Sequence, residues 1–354
     1  MKPFKLEEWA RPNVLQMKAY SSARDEFGEQ RDDLIYLDAN ENPYPSSVNR
    51  YPDPSQNSLR KRLSALRKVP TDQILIGNGS DEVLDLIFRA FAEPSKDRLL
   101  TFPPTYGMYS VLAELNVIEV LEAPLDPETF DLNFDRIAAQ MQLNPKLICL
   151  PNPNNPSGNG WPLATVKKLL DMATGIVIID EAYIDFAPFE SAITLLDEYP
   201  HLIVSQTFSK AFGLAGARLG IAYASPEIIA LLNRIKPPYN INSLSQSTAE
   251  GCLSNSEKRT KEIKTILEEK DRISLYIKDM NFVKKIFPSD ANFLLIRVDD
   301  ADKRYQQFLK AGVVLRNRST QLHCQNTLRI SIGTPQENLK FMELCRQFDQ
   351  NEVL

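Results

Sequence analysis

Cysteine and histidine are scarce in this 354-residue sequence, which contains only four of the first and two of the second. The cysteines lie far apart, without the short spacings of zinc sites or secreted disulfide frameworks. We therefore expect no metal centre, and a reducing compartment such as the cytoplasm. Neither His201 nor His323 stands near another candidate ligand or a nucleophile, so a histidine-based catalytic triad is not expected.

Long apolar runs and excess positive charge are also missing. No segment approaches the ~20 apolar residues of a membrane helix, and charged residues interrupt Met1–Val14, which argues against a signal peptide. The 46 acidic side chains outnumber the 41 basic ones. Because nucleic acids and anionic membranes attract clustered positive charge, we expect neither as a partner. Small molecules or a second copy of the chain are favoured instead.

The composition that is present is typical of a globular protein. The sequence is 43% hydrophobic and 25% charged, and its length suggests about two domains. Between residues 70 and 225, short apolar runs alternate with helical periodicity, which predicts an α/β fold with a mostly parallel sheet wrapped by helices. The predicted strands cover residues 74–76, 99–102, 117–121, 146–150, 176–179, 202–205 and 219–222.

The pattern of apolar and charged residues changes after Pro237-Pro238, and this change predicts a second, small α+β domain. A charged helical stretch over residues 254–280 comes first, and three predicted strands and two helices follow it. The three strands cover residues 292–298, 313–316 and 328–332. The expected division is an N-terminal arm or part of the small domain (1–40), a large domain (41–250), and a linking helix with the small C-terminal domain (251–354).

Candidate catalytic groups follow the predicted strands, and ligands of open α/β sheets bind outside the carboxyl ends of the strands. Lys210 follows one apolar strand and precedes small and apolar residues. Burial would lower the pKa of its amine, and a neutral amine can bond with a carbonyl carbon. Asp180 ends the aliphatic run Ile176–Ile179, where an acid can keep a pyridinium nitrogen protonated. The alternative for Lys210 is a solvated surface lysine, and the alternative for Asp180 is a helix N-cap.

Two turns rich in Gly, Pro and Asn complete the candidate site. Asn155 lies in a rigid, polar stretch after a strand and could donate to a phenolate oxygen, although a simple Asn-Pro turn would look the same. The turn from Gly77 to Asp81 joins a strand to a helix, and its glycines allow backbone N–H groups to approach an anion. It lacks the endings typical of nucleotide and dinucleotide loops, so the phosphate is not expected to belong to a nucleotide.

The order of these motifs resembles the fold-type I, pyridoxal 5′-phosphate (PLP) dependent aminotransferases of classes I and II. Within them, the sequence is most similar to the histidinol-phosphate aminotransferases of histidine biosynthesis. The likeness extends from about residue 15 to 335, which is nearly the whole chain. It includes the segments Tyr20–Arg24, Leu37–Pro45, Arg50–Pro52, Pro103–Tyr109 and Leu328–Thr334.

The resemblance implies a role for each matching position around the cofactor. Lys210 would bond covalently to PLP and then move the proton between substrate and cofactor, and Asp180 would pair with the ring nitrogen. Asn155 and Tyr183 would contact the phenolic oxygen, and Tyr106 would stack on the ring. The cofactor phosphate would be held by Gly79, Ser80, Asp81, Thr207, Ser209 and Arg218, and by Tyr51 of the neighbouring subunit, which implies a homodimer with shared sites.

The resemblance also implies how substrates bind. Arg329 and Arg316 would hold the substrate's anionic group, with Asn155 beside them, and Tyr20 would close over the substrate phosphate. Relatives often carry Arg-Asp where this chain has Arg316-Asn317, which leaves substrate preference open. The expected reaction is a ping-pong transfer of the amino group from L-glutamate to imidazole-acetol phosphate, giving L-histidinol phosphate and 2-oxoglutarate.

Three alternatives remain at this point. An arginine that accepts a phosphate can also accept a carboxylate, so an aromatic or broad-range aminotransferase would have the same motifs. A threonine-phosphate-type decarboxylase shares the sequence texture. A non-catalytic PLP-binding regulator is disfavoured, because no basic helical module precedes residue 40 and every catalytic position is retained.

Overall fold

The computed structural model describes residues 5–20, 24 and 34–350, and these form two β-sheets with helices packed against them. The large sheet contains β1 (Ile74–Gly77), β2 (Arg98–Thr101), β3 (Glu119–Glu122), β4 (Leu147–Pro151), β5 (Ile176–Asp180), β6 (Leu202–Thr207) and β7 (Gly220–Tyr223). The small sheet contains β8 (Val283–Ile286), β9 (Phe293–Val298), β10 (Arg316–Asn317) and β11 (Thr327–Ser331).

Twelve α-helices surround the sheets in the described part of the chain. They are α1 (Leu6–Trp9), α2 (Pro12–Gln16), α3 (Asn57–Arg67), α4 (Ser80–Phe91), α5 (Met108–Leu115), α6 (Phe134–Met141), α7 (Leu163–Met172), α8 (Pro226–Ile235), α9 (Ser243–Leu253), α10 (Ser256–Ile277), α11 (Ala301–Lys310) and α12 (Pro335–Gln350). No helix among the described residues is long and apolar enough to cross a membrane.

The large sheet is parallel except for one strand, which confirms the predicted α/β class. Its strand order is β1-β7-β6-β5-β4-β2-β3, and β7 runs antiparallel to both of its neighbours. The register aligns Pro151 with Asp180 and Asp180 with Ser205, so β4, β5 and β6 end side by side. This alignment brings the loops that carry the candidate site to one edge of the sheet.

Each face of the large sheet contributes to a separate core. Ile148, Leu150 and Val177 lie in one buried cluster, and Leu147 and Cys149 lie in the other. The assignment alternates along each strand because successive side chains point to opposite faces. Burial on both faces explains the uninterrupted apolar runs in the sequence, which are typical of parallel sheets covered by helices.

The small sheet is antiparallel and packs a third apolar cluster against α10, α11 and α12. Its edge strand β8 was not predicted, because Lys284 and Lys285 interrupt the apolar pattern on a strand that is only partly buried. The strand predicted over 313–316 begins only at Arg316, since the backbone N–H of Val313 bonds back to Phe308 of α11 at 2.9 Å.

The segment before residue 20 packs on the large-sheet part of the molecule. Ala10 and Val14 join the buried cluster that contains residues of α4 and α8. Arg11 Nε donates to Glu93 Oε2 at 3.2 Å, and Arg234 Nη1 of α8 donates to the backbone oxygen of Leu15 at 2.8 Å. These contacts attach the beginning of the arm to the large sheet rather than to the small one.

Candidate active site between the two sheets

A cavity of about 440 Å³ opens where the carboxyl ends of β4, β5 and β6 face the small sheet. Most of the residues predicted to form a site line this one cavity. They are Ser80, Asp81, Tyr106, Asn155, Asp180, Tyr183, Thr207, Ser209, Lys210, Arg218, Arg316 and Arg329. Gly79 immediately precedes this set at the start of α4.

Asp180 lies buried at the end of β5 without an ion-pair partner among the described residues. Its Oδ2 accepts a hydrogen bond from the Tyr109 hydroxyl at 2.8 Å, and its Oδ1 accepts one from the backbone N–H of Ala182 at 3.2 Å. Burial raises the pKa of the carboxyl to about 6 despite both bonds, which favour the charged form. The carboxyl group can therefore pair with a cationic group of a ligand in the cavity.

Lys210 extends into the cavity from the loop after β6, and its side chain is accessible from the cavity. Surrounding protein atoms and the nearby Arg329 guanidinium lower the pKa of its amine, while Asp180 acts in the opposite direction. Its Nζ lies 5.6 Å from the centroid of the Tyr183 ring. No carboxylate forms an ion pair with Lys210 among the described residues, so the amine is available to a ligand.

The N-terminus of α4 forms one end of the cavity together with Arg218. Gly79 has a φ of +88°, and a Cβ there would lie 2.6 Å from Arg218 Nη2. A Cβ at Gly220 would lie 2.3 Å from the backbone nitrogen of Ser80, so glycine is required at both positions for this close approach. Backbone N–H groups at a helix N-terminus beside an arginine make a ready anion site.

Side chains around this end are held by hydrogen bonds to one another. The Ser209 N–H donates to Thr207 Oγ1 at 3.1 Å, and that hydroxyl lies 3.0 Å from Ser209 Oγ. Tyr106 donates to Asp81 Oδ1 at 3.1 Å, and Arg218 Nη2 contacts Asp81 Oδ2 at 3.4 Å. These contacts orient the hydroxyls and the half-exposed guanidinium toward this end of the cavity.

The small sheet supplies the opposite wall, which carries three arginines. Arg316 pairs directly with Arg329 across β10 and β11, and Arg318 lines the cavity as well. Arg329 Nη1 donates to Asn155 Oδ1 at 2.5 Å, so the predicted Asn155 orients an arginine. No carboxylate pairs with any of the three within the described ranges.

Two residues of the site, Arg318 and Tyr109, were not predicted from the sequence to belong to it. Arg318 is two positions after Arg316, and this spacing on a strand places both side chains on one face. Tyr109 is three positions after Tyr106, and the two rings meet edge to face with centroids 5.6 Å apart. These spacings indicate that each residue lies near an assigned neighbour, but they do not identify the distant group that it contacts.

Tyr20 and Tyr51 lie outside the cavity. Tyr20 is 72% exposed and lines a separate hollow that also contains Gln56. Tyr51 stacks on Tyr239 with ring centroids 4.4 Å apart. Residues 21–23 of the arm motif are outside the described residues. The roles expected for both tyrosines therefore stay predictions.

The polar groups of the cavity fit PLP. A buried carboxylate without an ion pair suits a protonated ring nitrogen, and the α4 N-terminus with Arg218 suits a phosphate. Lys210 lies at the same cavity and could reach an aldehyde, with Tyr106 positioned beside Asp81 to cover a ring. The three arginines of the small sheet line the same cavity and could hold a second anion.

Comparison with known proteins agrees with this geometry. A histidinol-phosphate aminotransferase of Christiangramia forsetii is 51% identical over 349 residues, which are 99% of this chain and 99% of that protein. A second one, from Flavobacterium johnsoniae, is 50% identical over 96% of this chain and 97% of its own length. The crystal structure of the histidinol-phosphate aminotransferase from Clostridium acetobutylicum matches with a TM-score of 0.79 at 26% identity, over 86% of this chain and 92% of that one.

A family model described as aminotransferase class I and II matches residues 35–344. The matched region contains both sheets and every described residue that lines the cavity. The chain therefore belongs to the class I and II aminotransferase family.

Proposed function

We propose that this protein is a PLP-dependent histidinol-phosphate aminotransferase. It would transfer the amino group of L-glutamate to imidazole-acetol phosphate and release 2-oxoglutarate and L-histidinol phosphate. The observation that carries the proposal is a cavity with two separate anion-binding regions, the α4 N-terminus with Arg218 and the arginine wall of the small sheet. The first suits the cofactor phosphate and the second suits an anionic substrate, as the names of the close relatives also suggest.

The residues on the large sheet would hold the cofactor. Asp180 would pair with the ring nitrogen, while Asn155 and Tyr183 would contact the phenolic oxygen and Tyr106 would cover the ring. The backbone at Gly79, Ser80 and Asp81 would bind the phosphate together with the hydroxyls of Thr207 and Ser209 and with Arg218. When bound, PLP supplies an aldehyde that bonds with amines and a ring that withdraws electrons from the substrate Cα.

Lys210 would act as the base at the substrate Cα. Its lowered pKa increases the fraction of neutral amine near neutral pH, and only the neutral amine accepts a proton. Tyr109 would keep Asp180 oriented and ionised by donating to Oδ2. Because both half-reactions use the same lysine and the same cavity, the first product must leave before the second substrate enters.

The small-sheet arginines would choose the substrates. Arg329 and Arg316 would bind the carboxylate of glutamate or the phosphate of the other substrate, since guanidinium groups bind both in pairs of hydrogen bonds. Asn155 fixes Arg329 in place. Tyr20 would close over the substrate phosphate after a movement of the arm.

The assembly and cellular location are part of the same proposal. Tyr51 lies outside the cavity of its own chain and 48% of its surface is exposed, which leaves it available to the cofactor phosphate of a second copy. We propose a homodimer with shared sites, located in the cytoplasm. Residues 41–250 would form the PLP-binding unit, 251–354 the linking helix with the small domain, and 1–40 the arm.

The test compares catalytic efficiency on histidinol phosphate with that on phenylalanine, each with 2-oxoglutarate as acceptor. A preference for phenylalanine would replace the proposal by an aromatic aminotransferase, and release of carbon dioxide without keto-acid formation would indicate a decarboxylase. Lys210→Ala should lose both transaminase activity and the absorbance of protein-bound PLP. Lys264→Ala is the matched control, since that side chain is 76% exposed on α10.

A further inference from the structure

Three arginines of the small sheet, Arg316, Arg318 and Arg329, line the cavity and form what we call the arginine wall. The proposed substrate contacts use only Arg316 and Arg329. We propose that Arg318 is a specificity-determining residue, which makes this wall select a phosphate monoester dianion over a carboxylate. The inference rests on the proposed function and adds to it the side chain that sets the preferred charge of the substrate.

The backbone places Arg318 beside the two arginines already described. Arg316 is the direct partner of Arg329 in the antiparallel ladder. Arg318 directly follows β10, and its backbone N–H donates to the backbone oxygen of Thr327 at 2.9 Å, which continues the pairing with β11 by one residue. Side chains two positions apart on a strand share a face. All three guanidinium groups therefore face the cavity, which they also line.

This arrangement is electrostatically unfavourable without a ligand. Like charges directly opposite each other destabilise a strand pair. The Nε atoms of Arg318 and Arg329 are buried and have no hydrogen-bond partner. Burial and the two neighbouring arginines lower the pKa of Arg318 to about 10, which still leaves it charged at neutral pH.

Several other arginines in the described part of the chain pair with carboxylates. Arg304 is fully buried and bonds to Asp299 at 2.6 Å, and Arg67 bonds to Asp185 at 2.9 Å. Arg24 contacts two carboxylates, those of Asp38 and Glu41. At the cavity wall, three arginines without a carboxylate partner among the described residues lie together, and a bound anion would neutralise part of their charge.

The number of charges and oxygens favours phosphate. A phosphate monoester carries close to two negative charges at neutral pH and offers three terminal oxygens, whereas a carboxylate carries one charge and offers two oxygens. Three guanidinium groups can each bind a phosphate oxygen. With a carboxylate, one of the three would remain without a partner, and an unpaired guanidinium is costly at Arg318 or Arg329, which are both half-buried.

The experiment measures two inhibitors that cannot react, phenyl phosphate and phenylacetate, against the holoenzyme at pH 7.5. The variants are Arg318→Gln, which removes the charge, and Arg318→Lys, which retains it. Arg346→Gln is the control, because it removes the same charge from an exposed position on α12 of the same region. Thermal unfolding of each variant reports whether the β10–β11 pair stays folded.

We expect Arg318→Gln to raise the inhibition constant of phenyl phosphate about tenfold or more, as for a lost hydrogen bond to a charged group, and that of phenylacetate less than about threefold. Arg318→Lys should recover part of the phosphate affinity. In Arg318→Gln, KM for histidinol phosphate should rise by a larger factor than KM for glutamate, and by a larger factor than kcat falls. Arg346→Gln should change none of these constants.

An equal loss for both inhibitors, or no loss in a variant with unchanged thermal unfolding, would overturn the inference. A large drop in unfolding temperature in both Arg318 variants would assign the residue to folding instead and would overturn it equally. Turnover of histidinol phosphate by the wild type tests the proposed function separately from the role of Arg318. If the wild-type holoenzyme fails to turn over histidinol phosphate, the proposed function is wrong whatever the inhibitors show.

Discussion

Replacing Tyr109 by phenylalanine removes a single hydroxyl group from the centre of the site. That hydroxyl is fully buried and donates to Asp180 Oδ2 at 2.8 Å. A hydrogen bond to a charged group contributes about 1.5–3 kcal/mol, and each pKa unit corresponds to about 1.4 kcal/mol. The pKa of Asp180, which is about 6 in the wild type, should therefore rise by roughly one to two units.

The expected consequence is a pH-dependent loss of PLP affinity. At pH 7 a smaller fraction of Asp180 is ionised in the variant, so a protonated ring nitrogen finds less negative charge opposite it. We expect binding roughly two- to tenfold weaker at pH 7, because the ionised fraction falls from about nine tenths to between about a half and a tenth. At pH 9 Asp180 is ionised in both proteins, and the difference should shrink. Absorbance titration of the apoprotein with PLP measures both dissociation constants.

The ratio of the two constants removes every pH effect that the proteins share, including titration of the Lys210 amine. Tyr199→Phe is the matched control, because its hydroxyl also bonds to a carboxylate, Asp171, at 2.9 Å, but lies outside the cavity lining. It should leave PLP affinity unchanged. Equal affinity of wild type and Tyr109→Phe at pH 7, or a ratio that stays constant up to pH 9, would refute the reasoning.

Three further predictions concern the same cavity. Gly79→Ala should weaken PLP binding at least about tenfold, because the new Cβ is strained at a positive φ and displaces the neighbouring guanidinium; equilibrium titration checks this. Asn155→Ala should lower kcat/KM about tenfold or more, because the substitution removes the hydrogen bond that orients Arg329. Steady-state kinetics checks this. Asp180 and Glu181 should each contribute stability to the apoprotein that grows as pH falls from about 7 toward about 4, because their folded-state pKa values (about 6 and about 7) are raised above those of the unfolded chain, so folding takes up protons at both groups. Thermal unfolding of wild type and Asp180→Asn across pH checks this for Asp180, since titration of the groups that the two proteins share cancels in the difference.

Each of these predictions has its own control or contrary result. Gly251→Ala adds a Cβ that meets no atom within 4 Å and should leave PLP affinity intact. A lower kcat/KM in Asn155→Ala that comes with lost PLP would assign the residue to cofactor binding alone. An unfolding temperature of wild type that does not gain on that of Asp180→Asn between pH 7 and pH 4 would contradict the sign derived for the buried acid.

The large sheet and its loops were accessible to reasoning from sequence, because strands buried on both faces leave continuous apolar runs. The end of such a run marks where a polar side chain enters the crevice, and Asp180 and Lys210 were assigned in this way. The small sheet was harder. Its strand β8 lies at an edge and carries two lysines, so local pattern could not separate it from a loop.

The missed side chains act through partners that lie far away in the sequence. Tyr109 gains its role from Asp180, 71 positions later, and Arg318 gains its role from the pairing of β10 with β11. Sequence periodicity reports only local neighbours, so neither contact could be derived before the strands were placed. Tyr20 and Tyr51 present the reverse case, since a motif suggested their roles and the described chain leaves both outside its own cavity.

The separation of the site between two sheets has a consequence for how such enzymes diversify. The groups that would handle the amine chemistry follow strands of the large sheet, whereas the arginines that would bind the substrate lie on β10 and β11 or, for Arg318, directly after β10. Selection can therefore retune which amino donors are accepted by altering one hairpin-sized segment. A directed library confined to residues 316–329 would explore new donors while the reactive lysine keeps its surroundings.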